Sequence, residues 1–263
     1  MIEKIRIEDR LYFKSSILET EPDVQHFFTS RQGGVSRGKI EGLNLGFRVG
    51  DDVDSVKENY RIVANDFDIP YDGITSAKQT HSRDVRIITE TEKGCGVSRI
   101  SKTFEADGLV TSCKGIALTV FYADCVPILL SDSTAGVVAA VHSGWRGTVS
   151  RIAENAVDIM KKEFGSTPEN IKAAIGPSIG KCCFETGEEV ACNFDKDLVT
   201  PKGNGKFLVD LWTANRRILK ECGVCDKNID VLGICTICES DILYSYRTHG
   251  DKTGRMGAVI MIK

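Results

Sequence analysis

The sequence has no apolar stretch approaching the roughly 20 residues that a membrane-spanning helix needs. Its opening segment, MIEKIRIEDR, lacks the apolar core of a secretory leader. A cytoplasmic protein is therefore expected. Charge of one sign is equally scarce: 34 basic against 37 acidic residues leave a formal net charge of -3. Nucleic acids and membranes usually select a basic face, so neither is expected as the main partner. A small-molecule substrate is expected instead, handled by a monomer or weak homodimer. No internal repeat, low-complexity linker or Pro/Ser-rich boundary divides the chain, and 263 residues with 41% hydrophobic content suffice for one large core, read as a single domain over residues 1–263. Histidine is rare, with only His26, His81, His142 and His249, which limits any centre that needs many imidazoles. The ten cysteines are scattered through a core-forming chain without an export signal and are expected to be mostly reduced and buried.

Short apolar runs alternate with helical patterns. VQHFFTS, GITSAKQ, DVRIIT, GIALTVF, VPILLS, GVVAAVH, IKAAIG, IDVLGI and GAVIMI read as strands. Several are continuously apolar, as in strands covered on both faces. SVKENYRIVANDF reads as a helix opened by Ser55 and Glu58 in capping-box spacing. TVSRIAENAVDIMKKEF places Val149, Ile152, Ala153, Ala156, Val157, Met160 and Phe164 on one face of a second. DLWTANRRILKECG forms a third, from Asp210 as N-cap to a stop at Gly223. The fold class is α/β, with α+β as the alternative, on a mixed sheet.

Polar residues at the ends of buried strands mark where chemistry belongs. His81 closes SAKQTHS, His142 closes VVAAVHS, and Cys125 lies between two apolar strands in LTVFYADCVPILL. Two imidazoles and one thiolate make a zinc-ligand set with a fourth position left open, and they equally make a Cys/His nucleophilic pair. Arg146, in GWRGT at the start of a helix, is a candidate anion ligand, with Arg31, Asn44 and Arg247 as further candidates from the polar, glycine-containing stretches TSRQGGVS, GLNLG and YSYRTHGDKTGR. Trp145 is assigned to core packing. Cys222, Cys225, Cys235 and Cys238 form two CxxC pairs with the spacing of a zinc ribbon, although Cys222 falls on a helical turn.

The stretches TSRQGGVS, GLNLG, KQTHS, ADGLVT, ADCVPILL, AVHSGWRGT, AAIGPSIGKCCFETGEEV and YSYR…TGRMGAVI occur in one order along nearly the whole chain. Together they resemble the laccase-domain (polyphenol oxidase, DUF152) or YfiH family, of purine nucleoside phosphorylase type. The resemblance implies a single α/β domain with a cysteine-hydrolase fold shared with a deamidating toxin domain. It implies a metal, usually zinc, at His81, Cys125 and His142. It also implies phosphorolysis of adenosine, inosine and methylthioadenosine, with deamination of adenosine. Lys181 stands where proline is frequent, and RTHGD replaces an Arg-Arg-Asp-Gly stretch, so Lys181, Thr248 and His249 are not carried over as site residues.

Four functions follow. The first is a zinc-dependent nucleoside phosphorylase and deaminase in which His81, Cys125 and His142 carry the metal chemistry and Arg146 takes phosphate. The second is a copper-dependent phenol oxidase. The third is a metal-free hydrolase with Cys125 as nucleophile, His142 as base and Asp124 as orienting group. The fourth is a protein that only sequesters metal.

Overall fold

The computed structural model describes residues 2–263, Ile2 by its backbone alone. The described residues form fifteen strands: β1 (Ile2–Ile7), β2 (Arg10–Ser15), β3 (Val24–Thr29), β4 (Ile74–Ser76), β5 (Val85–Ile87), β6 (Gly108–Thr111), β7 (Ala117–Tyr122), β8 (Val126–Asp132), β9 (Val137–Ser143), β10 (Lys172–Ile175), β11 (Glu185–Thr186), β12 (Val199–Gly203), β13 (Lys206–Val209), β14 (Ile229–Val231) and β15 (Met256–Ile262). The helices are α1 (Val53–Asp66), α2 (Trp145–Val149), α3 (Ile152–Phe164), α4 (Glu188–Ala191), α5 (Leu211–Glu221) and α6 (Tyr246–His249). One six-stranded sheet runs β1-β2-β3-β15-β7-β4 and a second runs β14-β10-β8-β9-β6-β5. A small sheet, β11-β13-β12, stands apart. Both large sheets are mixed and mainly antiparallel, with parallel pairs β4–β7, β5–β6 and β10–β14.

The period of two along each strand explains why the apolar runs are continuous. In β9, Val138 and Ala140 face the other large sheet, where they meet residues such as Leu118, Val120, Ala258 and Ile260. Val137, Ala139 and Val141 face the opposite way, toward Ile152, Ala156, Val157 and Met160 of α3 and Leu211 and Leu219 of α5. In β15, Val259 and Met261 point toward Val56, Tyr60 and Val63 of α1. The result is four layers, helix on sheet on sheet on helix, and the fold is mixed α/β.

Three local assignments differ from the sequence pattern. Asp52, not Ser55, caps α1: its carboxylate accepts the Ser55 backbone N–H at 2.8 Å and the Ser55 hydroxyl at 2.9 Å. A carboxylate there is the stronger acceptor and complements the helix dipole. The long second helix is broken. Arg151 adopts a left-handed conformation (φ 60), the Ser150 hydroxyl donates to the Arg146 carbonyl at 2.7 Å, and Val149 is exposed rather than packed. The pairs β1–β2 and β12–β13 carry no continuous apolar run, yet Asn204 and Gly205 both have positive φ in the turn of the latter, the Asn-Gly signature of a tight hairpin.

Candidate active site

The β7–β8 turn, β9 and the segment following β4 converge at one end of the sheets. Asp124 turns the chain between β7 and β8 with φ 85, a conformation that non-glycine residues rarely adopt. It is held there from three sides. The Asp124 carboxylate accepts the Thr236 hydroxyl at 2.6 Å and the Arg247 backbone N–H at 2.6 Å, and its carbonyl accepts the Ile179 N–H at 2.9 Å. Cys125 is delivered to the start of β8. His142 pairs with Pro127 near the end of β9. His81 has φ 61 and donates its backbone N–H to Asp107 at 3.0 Å. Two strained residues at one site are the pattern expected where geometry serves chemistry rather than stability.

The ligand atoms of His81, Cys125 and His142 all lie within 4.8 Å of one another. Cys125 Sγ is 3.9 Å from His81 Nε2, and the two imidazole rings meet edge to face at 5.0 Å. Gly144 makes the approach possible, because a Cβ there would lie 3.0 Å from Cys125 Sγ and 3.3 Å from His81 Cδ2.

Asp107 organises this group. Its buried carboxylate meets His142 Nδ1 at 2.8 Å and accepts backbone N–H groups from Thr80, His81 and Ser82 as well as the Ser82 hydroxyl. Its carbonyl takes the His142 N–H at 2.7 Å. Because an ionised carboxylate only accepts, Nδ1 carries the proton and Nε2 is left as the ligand atom. Burial opposes charge on Asp107, but the His142 hydrogen bond and the Ser82 and Thr80 N–H groups outweigh it and hold the carboxyl well below its usual range. Burial also opposes charge on Cys125 and on His142. Their mutual attraction prevails, lowering the thiol to about 6 and raising the imidazole to about 9. A thiolate, two imidazoles and a carboxylate behind one of them match the donor chemistry of a zinc site with an open position.

A cavity of about 680 Å³ opens over these three residues. Phe47, Phe121, Tyr122, Trp145, Phe184 and Tyr246 contribute aromatic surface, and Arg48, Arg247 and Arg255 bring positive charge. Arg255 Nη1 donates to the carbonyls of Thr253 and Gly254, and burial lowers its pKa. Arg247 Nη1 donates to the Glu185 carbonyl at 2.8 Å.

Of the residues singled out by sequence, His81, Cys125, His142 and Arg247 meet at this cavity. Arg146 does not line it: the side chain is exposed and lies over the Trp145 ring at 4.5 Å. The five-residue helix that begins there turns its first residue, Trp145, to the cavity wall, while Trp145 also packs on the core. Arg31 lies over Tyr244, 4.8 Å from the ring centre, outside the cavity lining. Asn44 is buried and structural. Its amide bridges Gly46 and Asp51, and its Oδ1 accepts the Arg255 N–H at 2.8 Å, so it positions the cavity wall without touching the interior. Asp124 does not orient His142; Asp107 does. Sequence spacing passes over Asp107, Arg48 and Arg255, although Asp107 sits in the ADGLVT stretch and Arg255 in TGRMG.

Residues 25–263 match the family model described as multi-copper polyphenol oxidoreductase laccase. The chain belongs to this family. A purine nucleoside phosphorylase of Bacteroides thetaiotaomicron is 34% identical over 253 residues, covering 93% of this chain and 94% of the relative. Another, from Deinococcus radiodurans, is 40% identical over 241 residues, with 90% and 88% covered. Adenosine deaminase RL5 from an unknown prokaryotic organism is 39% identical over 240 residues, with 88% and 91% covered. The crystal structure of YlmD from Geobacillus stearothermophilus superposes with a TM-score of 0.92 at 31% identity, covering 98% of each chain. The Bacillus licheniformis hypothetical protein YfiH gives 0.93 at 30% identity, covering 100% of this chain and 99% of that one. The family's multi-copper description sits uneasily with the ligands present. His26 is fully buried among sheet residues, its Nε2 accepting the Ser15 N–H, and His249 lies on α6 against the Ser245 carbonyl, which leaves two of the four histidines for the site.

Among the described residues, no helix is long and apolar enough to cross a membrane.

Proposed function

We propose that the chain is a zinc-dependent purine nucleoside phosphorylase that also deaminates adenosine at the same site. The observation that carries this reading is the placement of His81, Cys125 and His142 in the wall of a cavity furnished with aromatic rings and three guanidinium groups. Its volume lies within the usual range for small-molecule sites. A purine presents flat apolar faces, which suit Phe, Tyr and Trp surfaces. A phosphate suits arginine, and a partly buried guanidinium such as Arg255, which among the described residues donates to the Thr253 and Gly254 carbonyls, gains a counter-charge when an anion binds.

His81, Cys125 and His142 would hold the metal, with Asp107 fixing the His142 tautomer. When bound, such an ion supplies Lewis-acid chemistry and activation of water near neutral pH. The protein's own groups supply the rest. In phosphorolysis the phosphate oxygen forms a bond to ribose C1′ as the C1′–N9 bond breaks, and the electron pair leaves with the purine. Arg247 and Arg255 are assigned to position the phosphate and to offset its charge. The aromatic walls hold the base and exclude water.

The test is chromatography of products from purified, metal-quantified protein given adenosine with and without phosphate, beside Cys125→Ala. Adenine and ribose 1-phosphate forming only with phosphate, or inosine forming without it, supports the reading, provided the variant is inactive. No product, or equal product from both proteins, overturns it.

One observation favours a second reading. The lowered Cys125 thiol, the raised His142 imidazole and the Asp107 carboxylate also constitute a nucleophile, base and orienting group. Turnover by rigorously metal-free protein that iodoacetamide abolishes would select this hydrolase.

A further inference from the structure

The two CxxC pairs of the sequence do not combine. Cys222 terminates α5 and packs with the helix-side core, while Cys225 precedes the short turn leading into β14. Cys235 and Cys238 instead meet Cys182 and Cys183, which lie 52 or more residues earlier in the chain and directly after Gly180 and Lys181. We propose that Cys182, Cys183, Cys235 and Cys238 form a second metal site, a tetrathiolate holding one divalent, thiophilic ion of the zinc class.

The geometry is that of four ligands around one point. All four sulfurs lie within 4.8 Å of one another. Cys182 and Cys183 stand 3.7 and 3.6 Å from Cys238. A tetrahedron with zinc–sulfur bonds of about 2.3 Å has edges of about 3.8 Å. Sulfurs this close surround a single ion and leave no space for a cluster of several irons. All four cysteines are unpaired in disulfide terms.

The backbone prepares the site without any ion. Cys182 and Cys183 sit in a turn in which the Cys183 and Phe184 N–H groups both reach the Gly180 carbonyl at 2.9 Å. Cys235 and Cys238 sit in a second turn, closed by the Glu239 N–H to the Cys235 carbonyl at 3.0 Å. The two turns are joined by Ser178 N–H to the Ile234 carbonyl and Thr236 N–H to the Ser178 carbonyl. Gly180 N–H points at Cys235 Sγ from 3.3 Å, the donor arrangement that stabilises a thiolate ligand.

Packing accounts for only half of the cluster: Cys235 is buried and Cys183 packs against the helix-side core. Free cysteines are ordinarily buried as small apolar residues, yet Cys182 and Cys238 are exposed. Convergence of exposed thiols from two distant segments gains little from the hydrophobic effect and much from a shared ion. Thiolate donors alone select a soft or borderline cation over calcium or magnesium. The consequence reaches the cavity. Ile179 and Phe184 flank the first turn and line the cavity, and Thr236 in the second turn holds Asp124. The ion would therefore pin one wall of the cavity.

Metal analysis under reducing, air-free purification distinguishes this site from His81, Cys125 and His142. Wild type should carry two zinc ions per chain, and the Cys183→Ser/Cys238→Ser double variant one. The His81→Ala/His142→Ala double variant should also keep one. When loaded with cobalt, that variant should show the intense near-ultraviolet sulfur-to-cobalt absorption of a four-thiolate tetrahedron. This cobalt spectrum decides the matter even if the cysteine variant does not fold. Metal confined to wild type and wholly lost in the histidine variant, two ions retained without Cys183 and Cys238, or a disulfide among these four residues in the mass spectrum would each overturn the proposal. Wild type carrying only one ion, which survives the histidine substitutions, would uphold this site and count against the other.

Discussion

His142 Nδ1 and Asp107 Oδ1 lie 2.8 Å apart in a pair that is almost wholly removed from solvent. The same carboxylate takes three consecutive backbone N–H groups, from Thr80, His81 and Ser82. One side chain thus orients the imidazole on β9 and the loop that carries the other imidazole. Asp107→Asn should preserve part of the loop network but lose the fixed tautomer, weakening metal affinity by roughly 10- to 100-fold, as outer-shell substitutions do. Competition with a chromogenic chelator measures this, and an unchanged affinity would remove Asp107 from its assigned role.

Gly144 is needed for space, not for backbone freedom. Its φ of -65 and ψ of 175 are open to any residue. An alanine Cβ would nevertheless press on Cys125 Sγ and His81 Cδ2, at 3.0 and 3.3 Å. Gly144→Ala is expected to retain a native circular dichroism spectrum and a Tm close to wild type while metal content and turnover fall at least tenfold. A wild-type metal content in the variant would show that Cys125 and His81 need not approach as closely as the structure has them.

If the proposed phosphorolysis holds, its phosphate dependence would separate the roles of the cavity arginines. Arg255→Ala should raise KM for phosphate by roughly 10- to 100-fold, the range for loss of a charge-assisted hydrogen bond. Phosphate-independent deamination should change far less, since water rather than phosphate is the second reactant. Steady-state kinetics of both reactions on adenosine would test this, and equal losses in the two would assign Arg255 to the nucleoside or to the fold.

Acid stability should report on His26. This residue is completely buried, and desolvation, with a smaller contribution from Lys14, lowers its pKa from 6.5 to about 3. Glu19 stands 3.5 Å from Nδ1. Between those pKa values the unfolded chain binds a proton that the native one does not, so stability falls as pH drops from about 6.5 toward 3 and is unaffected by His26 above that window. The loss at the acid end is roughly 4 kcal/mol. Urea unfolding across this range should show a shallower pH slope for His26→Gln than for wild type; equal slopes would place the acid sensitivity elsewhere.

Much of the architecture is legible in local order along the chain. VPILLS and GVVAAVH announce strands covered on both faces because every residue, odd or even, must meet a packed layer. Asp210 caps α5, accepting the Thr213 N–H at 3.0 Å, because cap chemistry involves neighbours three residues apart. His81, Cys125 and His142 stand out because polar residues interrupt apolar runs at strand ends.

Other features depend on which segments become neighbours. Local spacing pairs Cys222 with Cys225, whereas the folded chain brings Cys235 and Cys238 to Cys182 and Cys183. It likewise nominates Arg146, which lies outside the cavity lining, and passes over Arg255, which chain crossing carries into it. Asp107 looks like an ordinary residue before a glycine until β6 is laid beside β9 and its carboxylate reaches His142. The sequence by itself determined the strands, the caps and the reactive residue types, because those follow from short-range periodicity and hydrogen bonding. Only the tertiary structure decided which carboxylate, which cations and which thiols lie together, because partners far apart in the chain are selected by the packing of whole layers.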